Sequence, residues 1–394
     1  MDVAPEIIER LRLVCLELPE TYEESAWVGT RWRVRTKTFA HVLTIDAGWP
    51  PRYARAAATD GPVTVLTFEC PLRRAPSPFL VRRDMEFGAH LPLMDFGGHP
   101  YTLQHLVDYT KTAARLGLTV LSANDHLVFG VPWLDGPTAL AATMEHSAGM
   151  TLATTVALAV VRGPVPVAKT LGAIDRLSGG RTLVVVGPGS SARDYESVGL
   201  DFEERWARLD EAVQALRSLW RSAPAPFVGR FYSTEGIRLE PAPAQQGGPP
   251  IWLGSWGSDA GLRRVARLAD GWLASAYNTT PALFAEARAR LDDRLSEYGK
   301  NPDTFPNGLA TMWFHITEDR DEADRIVRER LVPAIHRPED VLRERLPVGP
   351  PARFTELLAD FRDAGVQLVL IWPVADERRQ LELFCEKVRP LFQQ

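Results

Sequence analysis

Three short stretches bring together residue types that can hold a ligand or move a proton. The first is Asn124-Asp125-His126, where a histidine follows an acid at the end of an apolar run. Histidine is the one side chain whose unperturbed pKa lies near neutrality, which suits it to acid–base work. The second is Gly187-Pro188-Gly189-Ser190-Ser191, reached straight from the apolar Leu183–Val186. The third is Gly254-Ser255-Trp256-Gly257-Ser258, which leads directly into the helical pattern "DAGLRRVARLADGW". Glycine-rich turns expose backbone amides, and the dipole of a helix N-terminus favours an anion such as phosphate. The plainer readings stay open: a tight turn, a Ser258 or Asp259 helix cap, and a histidine that only packs its loop.

Other chemistries lack their residues. No HxH, HExxH or carboxylate cluster points to a metal, and no GxSxG points to a hydrolase. The GPGSS stretch lacks the third glycine of a dinucleotide fingerprint and lies mid-domain. Acid pairs such as Asp201/Glu203/Glu204 and Asp210/Glu211 read as a helix start and a solvated face.

Those stretches need a frame. From Glu86 onward apolar runs alternate with helical patterns. Strands are expected at 86–91, 118–123, 150–158, 181–187, 250–255, 271–275, 308–316 and 366–372. Helices are expected at 102–116, 137–147, 164–177, 203–220, 258–268, 281–298, 320–334, 353–363 and 376–390. Eight strand–helix units predict a (β/α)8 barrel, with a doubly wound sheet as the rival. A proline-rich excursion, 221–249, separates the fourth and fifth strands; with 92–101 and 127–136 it is expected to shape the substrate pocket. In a barrel, ligands sit at the C-terminal strand ends, which is where all three stretches fall.

Before Glu86 the chain reads differently. Residues 1–70 suggest a small α+β segment: a helix at 7–17, a turn, two strands around Lys37 and another at 62–70. Residues 71–84, with three prolines and four arginines, read as a linker, and the barrel domain is placed at 85–394. The 394 residues carry a net charge of −5, which gives no reason to expect nucleic acid or an anionic membrane. Three distant cysteines imply neither disulfides nor zinc, no apolar run reaches a membrane span, and the default is a reducing cytoplasm.

"DRLSGGRTLVVVGPG", "GLDFEERWARLDEAVQALRSLW" and "PPIWLGSWGSDAGLRRVARLADGW" resemble the luciferase-like monooxygenase family, in order and at its spacing, from about Glu86 to Gln394. The resemblance implies a TIM barrel with an insertion after strand 4, and FMN or the deazaflavin coenzyme F420 as cofactor. "SANDHLVFGVPW" is similar to the Ser-Asp-His segment of the F420-dependent branch, with Asn124 interposed. That implies Asp125 against the deazaflavin ring and His126 as the catalytic residue facing it. Trp206 stands where some FMN-using relatives place a phosphate-binding tyrosine. The family's non-prolyl cis bulge falls on Thr155-Val156, behind the cofactor's middle ring. Gly187, Gly189 and Ser190, with Gly254, Ser255, Gly257 and Ser258, complete the implied cofactor site. Ser190 and Ser191 replace the glutamate of the sugar-phosphate dehydrogenases of this branch, which argues against a sugar phosphate.

"LPETYEESAWVGTRWRVRTKTFAHVLTIDAGWPPRYARAAATDGPVTVLTF" resembles the small MmcQ/YjbR-like domains, without their C-terminal half. Those are often labelled DNA-binding, but residues 1–70 carry 8 Lys and Arg against 10 Asp and Glu. A basic footprint is missing, and nucleic acid is not expected. Three functions stand: an F420-dependent oxidoreductase, an FMN-dependent monooxygenase, and a cofactor-binding protein without turnover. The expected partner is a small organic substrate, no metal is expected, and a homodimer is left open.

Overall fold

The computed structural model describes residues 3–16, 21–26, 29–34, 37–47, 49, 54, 59–68, 85–98, 101–221 and 225–392. The chain divides into two compact units, Met1–Arg82 and Arg83–Gln394. The expected linker, 71–84, lies outside the described residues.

In the first unit, helix α1 (Pro5–Cys15) precedes four antiparallel strands in the order β1-β2-β3-β4: β1 (Thr21–Ser25), β2 (Thr30–Val34), β3 (Lys37–Ile45) and β4 (Val63–Phe68). The alternating stretch gives β2 and β3, as read from the sequence. β1 occupies what reads as a turn, because "TYEES" is too polar to signal a strand. Trp32, Ala40 and Val42 pack with Val3 and Cys15 beneath α1.

The second unit is a closed barrel of eight parallel strands. These are β5 (Glu86–His90), β6 (Val120–Ala123), β7 (Thr151–Thr154), β8 (Thr182–Val186), β9 (Ile251–Gly254), β10 (Gly271–Ser275), β11 (Asn307–Ile316) and β13 (Leu368–Pro373). Each pairs with the next, and β13 with β5, so no edge is left. A two-residue strand, β12 (Val348–Gly349), pairs with the far end of β11 outside the ring. The wall is made by α2 (Leu103–Arg115), α3 (Gly136–Thr143), α4 (Pro164–Ser178), the short α5 (Ala192–Glu196), α6 (Arg205–Trp220), α7 (Asp259–Leu268) and α8 (Pro281–Glu297). It is completed by α9 (Arg320–Arg325), α10 (Val332–Ile335), α11 (Glu339–Arg345), α12 (Pro351–Asp363) and α13 (Glu377–Lys387).

The strands read as unbroken apolar runs because both their faces are covered. Val120, Ala153, Leu183, Val185, Trp252, Leu273, Ala310, Leu368 and Leu370 fill the barrel interior. The alternate residues, such as Leu121, Leu152, Val184, Ile251, Leu309, Val369 and Ile371, pack outward on the helices. Inside the ring Gly271 has no room for a side chain: a Cβ there would lie 2.4 Å from the Trp252 ring.

Two expectations are corrected. The third strand ends at Thr154 rather than 158: the Thr155–Val156 peptide is cis, and beyond it an isolated bridge joins Ala157 to Val186. The expected helix 320–334 is α9, a π-helical stretch over Ile326–Leu331, and α10. The excursion 221–249 is tied along α6, and Arg230 pairs with Glu204 beside the start of that helix. Glu211 of α6 accepts the amides of Arg230, Phe231 and Tyr232, and Gln245 bonds Asp175 of α4. Its polar groups find their partners on the outer wall, which a pattern of prolines does not reveal. No helix among the described residues is long and apolar enough to cross a membrane.

Candidate active site

Side chains alternate along a strand, so the core residues identify which rim residues also face inward. Two positions beyond the core layer stand Ser122, Thr155, Gly187, Gly254, Ser275 and Trp372. His90 follows Gly88, where a Cβ would meet Val120 and Leu370 inside the ring. The register of β11 slips between Leu309 and Met312, where Thr311 takes φ +55°. That slip turns Trp313 inward against Trp372, 5.4 Å between ring centroids.

The mouth has two unlike halves. On the β8–β9 side the inward positions are glycines. A Cβ on Gly187 would lie 2.8 Å from Val156 Cγ2, and one on Gly254 would lie 2.8 Å from Val156 Cγ1. Val156, turned in after the cis peptide, therefore forms a floor that only bare backbone can flank. Beside it the Thr155 hydroxyl and Asn124 Oδ1 are buried without a partner. A buried polar group left unpaired costs about 1–3 kcal/mol, so each calls for a ligand.

The opposite half is aromatic. His90 stacks on Trp372 at 3.6 Å, and Phe96, Trp133 and Trp313 close around the same indole. Tyr277 packs on Trp313 at 5.0 Å. His90 is not a proton carrier. Burial drives its pKa down to about 3, against an opposing hydrogen bond to the Leu91 carbonyl. Its Nδ1 donates to Leu91 O at 2.7 Å and its Nε2 accepts the Asn124 amide at 3.0 Å. At the lip of this half a cavity of about 210 Å³ is lined by Met94, Phe96, Arg330 and Val374. A larger cavity, about 360 Å³, lies between α3 and α4 and touches none of the inward-facing rim residues.

His126 stands between the halves. Its ring is held by Phe129 at 4.5 Å and Trp133 at 4.8 Å, and its Nδ1 lies 2.7 Å from Asp194 Oδ2. The other Asp194 oxygen accepts the amides of Leu127 and Val128, each at 2.8 Å. Burial would raise the Asp194 pKa, but the His126 hydrogen bond, the Val128 amide, the His126 charge and the Leu127 amide together hold it below the usual carboxylate range. Tyrosine rivals for the proton are weak. Burial pushes Tyr101 up to about 12 and Tyr195 higher still, and both hydroxyls are spent on carbonyls, of Pro132 and Pro188.

Asp125 is buried and engaged within the protein. Arg162 clamps it bidentately, Nε to Oδ2 at 2.7 Å and Nη2 to Oδ1 at 2.6 Å, and the Leu158 amide adds a third bond. Arg162 also bonds Asp135, the N-cap of α3. Asp125 thus braces the β6 and β7 loops.

The β9 loop is partly committed too. Ser258 caps α7 by accepting the Gly261 amide, worth about 0.5–2 kcal/mol. The Ser255 amide donates to Leu273 O, the Gly257 amide to Ser255 Oγ, and the Gly187 amide to Ala157 O. Free amides remain at Ser258 and Asp259, and at Gly189 and Ser190, among the described residues. Arg290 of α8 donates to Gly257 O at 2.8 Å and sets a cation beside this loop. Trp206 lies under the Arg264 guanidinium, 4.7 Å from its ring, on the same side. Sequence reasoning did not find Asp194, Arg162, Arg290 or the tryptophan half. Their partners are 33 to 68 residues away or on other strands, and only "ARDY" after the GPGSS turn carries a trace of the first.

A closed α/β barrel whose mouth joins a bare glycine floor to a histidine–carboxylate pair is the frame of a cofactor-using enzyme. The chain belongs to the luciferase-like monooxygenase family, whose pattern matches residues 85–337, and is accordingly an oxidoreductase. It is 28% identical over 325 residues to the F420-dependent glucose-6-phosphate dehydrogenase of Intrasporangium calvum, a match that covers 73% of this chain and 94% of the relative. Among solved structures it is similar to the monooxygenase RslO1 from Streptomyces bottropensis, with a TM-score of 0.69 and 22% identity, covering 78% of this chain and all of that one. It is equally similar to an F420-dependent secondary alcohol dehydrogenase in complex with an F420–acetone adduct, with a TM-score of 0.69 and 16% identity, covering 79% and 100%. At these identities the structures speak to the fold.

Proposed function

We propose that this chain is a coenzyme F420-dependent oxidoreductase acting on a small organic substrate. The observation that carries this reading is the close packing of Gly187 and Gly254 on Val156 at the rim, next to the buried and unpaired Thr155 hydroxyl. The site fits that cofactor on its own terms, through the bare faces of Gly187 and Gly254 and the orphaned Thr155 and Asn124 oxygens. When bound, the deazaflavin supplies hydride chemistry. Thr155, Val156, Gly187 and Gly254 would hold its ring, and Asn124 would offer it an acceptor. The amides at Gly189–Ser190 and Ser258–Asp259, with Arg290, would hold its phosphate. Asp125 would act on the site by fixing the β6 and β7 loops through Arg162 and the Leu158 amide. The aromatic half keeps water out and takes the substrate. His126 gives a proton to the substrate oxygen in reduction and takes it back in oxidation.

Affinity decides the cofactor. Titrating F420 and FMN in parallel, by absorbance and fluorescence, is expected to show the tighter dissociation constant for F420. A tighter FMN constant instead favours the monooxygenase reading. Retained F420 binding without turnover of any alcohol or ketone favours a binding protein. The Ser190–Ser191 pair stands where sugar-phosphate dehydrogenases have a glutamate, so we do not expect a sugar phosphate as substrate, although the relative from Intrasporangium calvum acts on glucose 6-phosphate. Residues 1–70 we read as a truncated YjbR-like segment joined to the barrel by residues 71–84. A chain beginning at Met85 is expected to bind the cofactor as the full chain does.

A further inference from the structure

We infer that Asp194 is a positioning residue that fixes the proton of His126 on Nδ1 and so reserves Nε2 for the substrate. The inference rests on the reading of His126 given above. His126 sits on the loop after β6, and Asp194 sits on α5, after β8. The loop of β7 lies between them, so the pair bridges a whole strand unit. Asp194 has a fully buried side chain, and its partner is 11% exposed. All of its carboxylate contacts are accounted for: Oδ2 faces His126 Nδ1 at 2.7 Å, and Oδ1 takes the amides of Leu127 and Val128. An ionised carboxylate only accepts hydrogen bonds. The imidazole nitrogen facing it must therefore carry the hydrogen, whether the ring is neutral or protonated. In the neutral ring the bare nitrogen is then Nε2, which can accept a proton. In the protonated ring Nε2 is the one donor not already engaged. The two amide bonds serve the same end, since they tie the peptides just after His126 to the same carboxylate.

This arrangement makes a sharp prediction. Asp194→Asn keeps an oxygen for the two amides but puts an NH2 where Oδ2 stood. That group donates and cannot accept, so the neutral imidazole must move its proton to Nε2. The loop is retained and the tautomer reversed, which separates positioning from mere support.

The test is the ring nitrogen spectrum of the full-length protein with 15N-labelled histidine, above the titration of the imidazole. His126→Gln assigns the signals. In the wild type Nδ1 is expected to be pyrrole-like and Nε2 pyridine-like; the reverse overturns the inference with no variant needed. In Asp194→Asn the two are expected to exchange character, and unchanged signals overturn it. Turnover should then fall about 100-fold, while the F420 dissociation constant stays within about twofold. A reversed tautomer with normal turnover overturns the inference if His126→Ala is inactive. If His126→Ala also turns over normally, it is the role given to His126 under the proposed function that has failed.

Discussion

A histidine whose Nδ1 faces a buried carboxylate can exchange a proton only through its other nitrogen. Hydride delivery to a carbonyl leaves charge on oxygen, and a placed acid typically gives 10²–10⁴-fold. His126→Ala is therefore expected to lower kcat by about 100-fold and to leave cofactor affinity nearly unchanged. Measuring both on one preparation checks it; a kcat within threefold of wild type removes His126 from the mechanism. The glycine floor is tested by volume. Gly254→Ala puts a methyl 2.8 Å from Val156 Cγ1, which must then shift beneath the proposed ring. Binding should weaken about tenfold, a loss of about 1.4 kcal/mol. Val156→Ala in the same chain removes the methyl it meets and should restore part of the loss. Unchanged binding in Gly254→Ala would mean that the floor is not the contact surface. Gly257 is a poorer probe than its place in the loop suggests. It holds φ +89° with a Cβ position 3.0 Å from Ala287, so a large residue there would disturb the loop itself.

At the scale of elements, the β9 loop and the start of α7 are positioned by α8. Arg290 donates to Gly257 O and lies 4.0 Å from Asp259, a distance at which that pairing is weak. A phosphate at the free amides would gain a nearby cation, and charge-assisted bonds are worth about 1.5–3 kcal/mol. Arg290→Gln should raise the dissociation constant of F420 about tenfold or more, and leave that of the phosphate-free deazaflavin unchanged. An equal loss for both would place the phosphate elsewhere. The β6, β7 and β8 loops form a second such system through Arg162–Asp125 and Asp194–His126. Here sequence legibility changes with distance. The strand ends and their glycines were readable, because a buried strand running into a glycine turn is a local pattern. The ties between loops were not, because each joins residues that only barrel closure brings together. The excursion 221–249 shows the same limit, since its composition reveals a departure from the strand–helix alternation but not the wall it lies on.

For the whole barrel unit, His90 links stability to pH. It sits where β13 closes onto β5, fully buried, with its pKa lowered from 6.5 to about 3. Above about pH 6.5 it is neutral folded and unfolded and contributes no pH dependence. As pH falls through 6.5 the unfolded chain gains a proton that the folded barrel refuses, and stability drops progressively toward pH 3. Denaturant midpoints at pH 7 and pH 5 should differ less in His90→Gln than in the wild type. Equal slopes would mean that His90 takes up its proton without opening the barrel.

Local pattern alone sets out the eight-strand order and the place of the rim. It also placed the three chemical stretches at strand ends, because apolar periodicity and glycine turns are properties of neighbouring residues. The helix 320–334 and the strand 150–158 end elsewhere than local pattern predicts, at a π-helical stretch and at the cis peptide. Tertiary structure alone decided which side chains meet: the carboxylate that holds His126, the arginine that occupies Asp125, and the indoles that line half the mouth. Those contacts depend on inward parity around a closed ring and on the one-residue slip in β11. Neither is fixed until every strand has found its partner.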